Sequence, residues 1–399
     1  MKQIKLILAC ALLAGLSANL MAQSDRQTGL TGQTKNYIST GMPILLIAPD
    51  AVSGAMGDVG AATTPDAYSA HWNNAKFAFI ENDLGISTTY TPWLRNLGVG
   101  DMNLLYLGAY KKINNRSTMA ASLTYFSLGD IDRTDAEGNG QGVMMPNEFA
   151  FDATYAMKLS DELSIAATGR FMRSDLTNGQ EISDGSGYVT TKPANSFAAD
   201  LGFYWQHEMD NNQELALGAF FSNLGAKLSY SDDDTKKEFL PANLRIGARY
   251  SMDIDASNRI SFMVDANKLL VPTPPVSVGD TTYGDYYHNL TEYYQTGVMR
   301  GILQSFIDAP GGISEELREF QLSAGAEYWY KHTLAARMGY FYENDTKGGR
   351  QYATVGFGLK YNLMQFDFAY LIPTTSFSSN PLSNTIRISL TLNLGPSKS

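Results

Sequence analysis

The chain has 399 residues, 44% of them apolar and 18% charged, with a formal net charge of −10. Lys2 and Lys5 stand at the extreme N-terminus, so the chain without them carries −12, which excludes nucleic acid as a natural partner because phosphates demand a basic surface. The only cysteine is Cys10, and it falls in a segment that reads as removable, so a mature chain has no disulfide and no thiolate metal ligand.

Residues 1–22 have the parts of a secretory signal peptide: Lys2 and Lys5, the apolar stretch Leu6 to Leu16, and Leu20-Met21-Ala22 before Gln23. Beyond it no run approaches the ~18 apolar residues that a membrane helix needs, so any membrane crossing is made by strands. Residues 23–80 form a second unit. It is too apolar for a free tail, with Met42-Pro43-Ile44-Leu45-Leu46-Ile47 followed by the Gly-rich Ser53 to Gly60, and it reads as a plug.

Residues 81–399 carry short stretches of alternating apolar and polar residues, the period-2 signature of strands. The expected strands are 84–91, 102–111, 117–126, 148–158, 163–173, 195–206, 213–223, 241–252, 258–267, 317–330, 332–343, 350–361, 363–372 and 384–394. Fourteen is an even number, as single-chain bacterial outer-membrane barrels require, and the fold class is an all-β, 14-stranded antiparallel transmembrane β-barrel with an N-terminal plug. Gaps alternate between short ones, such as Lys112 to Arg116 and Leu159 to Glu162, and long ones at 127–147, 174–194, 224–240 and 268–316. Short connections face the periplasm in such barrels, which puts both termini there, in the outer membrane of a Gram-negative cell.

One side of the strands is apolar, for example Leu244, Ile246, Ala248 and Tyr250, or Ile386, Ile388, Leu390, Leu392 and Leu394. That side faces outer-membrane lipid. The other side holds Asp152, Arg170, Asp200, Arg245, Arg249, Asp265, Glu327, Lys360, Asp367 and Arg387, because a charge facing lipid at mid-membrane costs about 2 to 4 kcal/mol. These lumen charges are expected to pair across the interior, Arg245, Arg249, Lys360 and Arg387 with acids such as Asp265, Glu327 and Asp367.

The long insertion 268–316 holds Tyr283, Tyr286, Tyr287, Tyr293 and Tyr294, after which Tyr294, Val298, Ile302 and Phe306 recur every four residues. That is helical spacing, with Met299, Leu303 and Ile307 beside it. Such a face either packs on the barrel rim or binds a partner, with Tyr286, Tyr287, Tyr293, Tyr294, Val298, Ile302 and Phe306 as the candidate anchors.

Nothing in the sequence supports catalysis. The histidines His71, His207, His288 and His332 are scattered, no nucleophile elbow or phosphate loop is present, and Asp130, Asp132, Asp135 and Glu137 miss calcium-loop spacing. No cofactor or metal is expected.

Ala55-Met56-Gly57-Asp58-Val59-Gly60-Ala61-Ala62, then Pro65-Asp66-Ala67-Tyr68-Ser69-Ala70 and Trp72-Asn73-Asn74-Ala75-Lys76, resemble the N-terminal hatch signature of the long-chain fatty-acid transporter (FadL-like) family. Gly57, Asp58, Gly60, Asp66, Trp72 and Asn73 carry the match, and Asn74 stands where the signature has proline. Together with Ile38 to Asp50 these words resemble the PorV family, an outer-membrane component of the type IX secretion system of Bacteroidetes-type bacteria. The resemblance implies a cargo shuttle that binds the C-terminal signal domain of secreted proteins at the translocon. It would deliver them to an attachment complex, where a sortase-like peptidase removes the signal. The rival function is the parent family's uptake of fatty acids or other hydrophobic molecules.

Overall fold

The computed structural model describes residues 36–95, 100–134, 139–177, 181–183, 188–210, 212–231, 237–275, 283–374, 382 and 385–395. The signal-peptide reading of residues 1–22 therefore lies outside the described residues. Fourteen strands close one antiparallel barrel: β1 (Leu84–Pro92), β2 (Met102–Asn114), β3 (Ser117–Leu128), β4 (Asn147–Lys158), β5 (Leu163–Asp175), β6 (Ala194–Met209), β7 (Gln213–Gly225), β8 (Asn243–Asp255), β9 (Asn258–Leu269), β10 (Gln321–Tyr330), β11 (Leu334–Tyr342), β12 (Gln351–Tyr361), β13 (Met364–Pro373) and β14 (Ile386–Leu394). Each pairs with its sequence neighbours. The seam is β1 against β14, in register from Leu84↔Leu394 to Tyr90↔Ile388.

The alternation seen in the sequence is the wall itself. On β14 Arg387, Ser389 and Thr391 are buried while Ile388 is 40% exposed; on β8 Arg245 and Arg249 are buried and Ile246 is 53% exposed. Among the described residues no helix is long and apolar enough to cross a membrane. Two departures from the expected strands are local. The tenth strand starts at Gln321 rather than 317, because Glu315, Glu316 and Glu319 turn into a buried rim cluster and the chain there is helical. The long connections also hold two hairpins that the sequence reading leaves as loop, Ile131–Thr134 with Gly140–Met144 and Glu181–Ser183 with Tyr188–Thr190.

Residues 36–80 fill the lumen from one end to the other. Asn36 lies at the rim of the long connections, where its amide donates to Thr346 O at 3.1 Å, and Ile80 ends the descent four residues before β1. Met42, Ile44 and Leu45 pack against inward Leu104, Phe126, Ala150 and Met172, an apolar upper lumen where the sequence reading expects charged or small residues. Lower down come two single-turn helices, α1 (Ala51–Gly54) and α2 (Ser69–Trp72), and a 3₁₀ stretch from Asn74 to Phe79. Wall glycines let this backbone lie flat on the strands: a Cβ at Gly339 would come within 2.0 Å of Met56 C, and one at Gly218 within 1.9 Å of Ala61 O.

Outside the wall the connection between β9 and β10 folds into α3 (Tyr283–Gln295), α4 (Val298–Gln304) and α5 (Ile313–Arg318). The four-residue spacing from Tyr294 to Phe306 is thus not one helix. Thr296 and Gly297 interrupt it, Gly297 standing as the N-cap of α4.

Candidate functional site

The Gly-rich turn is the main fastening of hatch to wall. Gly57 and Asp58 both adopt positive φ, 71° and 61°, which presents their amide and carboxylate to the strands. Gly57 N donates to Thr354 Oγ1 at 2.8 Å, Tyr352 OH donates to Asp58 Oδ2 at 2.5 Å, and Arg387 Nη1 lies 3.4 Å from Asp58 Oδ1. Asp265 of β9 accepts two hatch amides on one oxygen, Gly60 N at 2.7 Å and Ala61 N at 2.9 Å, and stands 3.7 Å from Arg245. Arg245 in turn donates to Asp58 O at 3.1 Å and lies 4.4 Å over the Trp72 ring. A carboxylate that bonds consecutive amides and a neighbouring guanidinium is a strong, directional anchor.

The other signature residues extend this lock. Trp72 Nε1 donates to Asp50 Oδ2 at 2.5 Å, and Asp50 caps α1 through Ser53 N at 2.9 Å. Asn73 Nδ2 donates to Ala61 O and to Phe203 O of β6, and Asn74, in the place of the signature proline, donates to Thr168 Oγ1 at 2.8 Å. Asp66 works within the hatch, accepting from Tyr68 N at 3.0 Å and Ser69 Oγ at 3.1 Å. Lys76, fully buried, donates to Thr63 Oγ1 at 2.7 Å.

The lumen charges pair differently from the sequence expectation. Glu327 and Asp367 both pair with Arg337, each at 2.7 Å, a residue the sequence reading missed although it alternates with outward Ala336 and Met338. Arg249 pairs with Glu214 at 2.5 Å, also unforeseen, and its Nε holds Ala62 O at 2.9 Å. Arg387 reaches the hatch instead of a wall acid. Arg170 bonds Asp152 at 2.6 Å and Asp200 at 3.0 Å, and donates to Asn223 as well. Lys360 is half-buried and lines a cavity of about 400 Å³ between hatch and wall at the short-connection end, with Asp66, Phe79, Glu208, Arg259 and Trp329. That space is lined by ions as well as apolar groups, unlike a pocket for a hydrocarbon.

At the opposite rim two of the candidate partner anchors, Tyr293 and Tyr294, pack against other rim residues. The side chains of Tyr286 and Tyr287 lie outside the described residues. Tyr293 meets Phe239 at 5.6 Å and Tyr294 at 5.5 Å, and burial raises its phenol above the usual tyrosine range. Lys227 lies 3.7 Å over the Phe239 ring and donates to Tyr294 O at 2.9 Å, and burial lowers its ammonium to about 8. Val298 and Ile302 are half-buried, while Phe306 is 42% exposed. The rim is held by acids and lysines: Lys268 bonds Glu319 at 2.5 Å and Glu316 at 3.2 Å, and Lys347 bonds Glu315 and Glu319. Among the described residues no group of three or more His, Cys, Asp or Glu side chains gathers as a metal site.

A closed fourteen-strand wall with an ionically fastened N-terminal hatch defines a plugged outer-membrane β-barrel. The solved structures similar in fold include the toluene transporter TodX of Pseudomonas putida, 11% identical over 90% of this chain and 98% of that one with a TM-score of 0.50. They also include the toluene transporter TbuX of Ralstonia pickettii (12%, 86% and 98%, TM-score 0.48) and a FadL homologue of Pseudomonas aeruginosa (10%, 90% and 99%, TM-score 0.44). Comparison with curated proteins finds no match. Residues 30–276 match the family described as "Type IX secretion system protein PorV", a span that takes in the hatch and the first nine strands. The chain belongs to that family.

Proposed function

We propose that the protein is a non-enzymatic cargo shuttle of the type IX secretion system. It binds the C-terminal signal domain of secreted proteins at the translocon and carries them to the attachment complex, where a sortase-like peptidase acts. The observation that carries this reading is the hatch fastening, in which buried Asp58 and Asp265 tie residues 57–61 to β8, β9, β12 and β14. A lumen filled by such a lock does its work at its rim. The long connections are assigned to the cell surface, as in other barrels of this kind.

The docking surface is assigned to these connections. The hairpin of Ile131–Thr134 and Gly140–Met144 is two-stranded, so each strand keeps an edge without a strand partner among the described residues, with Ile131, Val143 and Met145 exposed. Free edges suit a β-rich signal domain that adds a strand. The rival reading, hydrophobic uptake, would use the apolar upper lumen, but hatch residues Met42, Ile44 and Leu45 already fill it.

The test removes residues 131–144 in one variant and 276–312 in another, confirms barrel insertion, and follows signal cleavage of secreted proteins alongside growth on long-chain fatty acid. Lost cargo processing with normal growth on lipid is expected of at least one variant. Normal secretion with impaired lipid uptake refutes the shuttle. A protease site placed within 276–282 should be cut on intact cells while one at Lys112 to Arg116 is not; the reverse overturns the orientation.

A further inference from the structure

The helices between β9 and β10 overhang the rim: Glu315 accepts from Nδ2 of hatch residue Asn36 at 3.4 Å on the mouth side, and Glu316 and Glu319 reach Lys268 on the outer side of β9. Lys268 continues the outward row of Phe262, Val264 and Ala266 on β9 and pairs across with outward Leu244, while its neighbour Asn267 points inward with Arg245 and Trp72. An outward lysine at a barrel rim is ordinarily exposed. Lys268 is 1% exposed because Glu316 and Glu319 bond it and the rings of Phe306 and Phe320 lie 5.8 and 5.6 Å from its ammonium.

Both short helices are two-sided. α4 packs through Gly301, whose Cβ position is within 3.1 Å of Pro272 and Phe239, and through buried Ser305. Its opposite side carries Met299, Leu303 and, just beyond the helix, Ile307, at 71%, 71% and 83% exposure. α5 turns Glu315 and Glu316 into the rim cluster and leaves Ile313 and Leu317, 80% and 65% exposed, pointing away from it. These five side chains are more exposed than the lipid-facing residues of β8, β9 and β14 named above. The candidate anchors Val298 and Ile302 are not on this stripe.

We propose that the overhang is an interfacial membrane element, with Met299, Leu303, Ile307, Ile313 and Leu317 seated in the acyl and headgroup boundary of the leaflet that surrounds the long-connection rim. Continuity with the lipid belt selects lipid over protein as the occupant. Leu317 precedes Leu322, the first outward residue of β10 and itself half exposed, by five residues, at most ~17 Å of chain. Phe306 already rests beside an outward wall residue. Arg300, exposed beside Met299, supplies the cation that interfacial helices direct at lipid phosphates. The inference depends on neither the shuttle reading nor the assignment of inside and outside.

The test uses the chain from Gln23 onward in lipid nanodiscs. As the mature sequence lacks cysteine, single probes can be placed by Ile307→Cys and Leu303→Cys and labelled with an environment-sensitive fluorophore. Phe262→Cys in the belt and Asp345→Cys on the β11–β12 connection serve as references. Quenching by doxyl-labelled lipid at least half as strong as at Phe262, with iodide quenching several-fold weaker than at Asp345, is expected at both positions. Iodide quenching equal to that at Asp345 without a lipid effect overturns the proposal. So does protection from iodide that arises only when a secreted signal domain is added, which would make the stripe a protein-docking face.

Discussion

Asp265→Asn isolates the fastening of hatch to wall. The substitution keeps shape but removes the charge that two hatch amides and Arg245 share. A hydrogen bond to a charged group is worth about 1.5 to 3 kcal/mol against about 0.5 to 1.5 for a neutral one, so Gly60 N and Ala61 N, at 2.7 and 2.9 Å, lose about 1 kcal/mol each. Arg245, 8% exposed, keeps Asp58 O and the Trp72 face but loses its carboxylate. At 3.7 Å that pair is long, and about 1 kcal/mol is assigned to it, well under the 3 to 5 typical of breaking a tight buried pair. The sum is about 3 kcal/mol, roughly a hundredfold in the equilibrium for local hatch release. Hydrogen exchange of peptides covering residues 57–63, followed by mass spectrometry in nanodiscs, reads that equilibrium directly. Adding Arg245→Met to Asp265→Asn should give back part of the loss, since no cation is then stranded. A change of less than about threefold in the single variant would refute the view that this carboxylate holds the hatch.

Arg387→Leu, which takes the cation from Asp58 and leaves it, among the described residues, only the Tyr352 hydroxyl, should destabilise the folded barrel by about 2 kcal/mol in urea titration, whereas Leu390→Ile on the outward face of the same strand should change it by under about 1. Gly339→Ala places a methyl 2.0 Å from Met56 C and should cost more than about 2 kcal/mol or displace the hatch, while Gly169→Ala, with open space around its Cβ position, should be neutral within about 0.5. Asp308 is half-buried in the helical cap that the connection between β9 and β10 forms over the rim, and burial raises its carboxyl to about 6. Because the folded pKa exceeds the unfolded one, the cap gains stability as pH falls through about 6 toward 3.8 and loses it as pH rises; limited proteolysis of 283–320 should slow between pH 7.5 and 5, and Asp308→Asn should abolish that dependence.

The wall was readable because a barrel strand has two solvents, lipid on one side and a packed lumen on the other, and each imposes its own residue every second position. Ile246 and Arg245 cannot exchange faces without stranding a charge in lipid, so register follows from composition. The pairing inside was not readable. Which acid meets Arg337 or Arg387 depends on strand stagger and on the hatch path, and neither leaves a local trace. Asp58 shows the difficulty: it belongs to a recognisable motif, yet its partners Tyr352 and Arg387 lie 294 and 329 residues away. In the loop, helical spacing was visible, but the break at Thr296 and Gly297 rotated the exposed stripe to Met299, Leu303 and Ile307. A period counted across a break does not follow one face.

The route of residues 36–80 also bears on the order in which the molecule can be assembled. A segment that runs the length of the lumen and then joins β1 at the far end is enclosed without threading if the wall closes around it. The ladder that joins the two ends of the wall, Leu84↔Leu394 to Tyr90↔Ile388, pairs the strands farthest apart in sequence, and its opening would admit the hatch from the side. Ala51 N on Ser389 and Asp58 on Arg387 then couple the hatch to the closing strand itself, so that a misplaced hatch and an unclosed wall are one and the same fault.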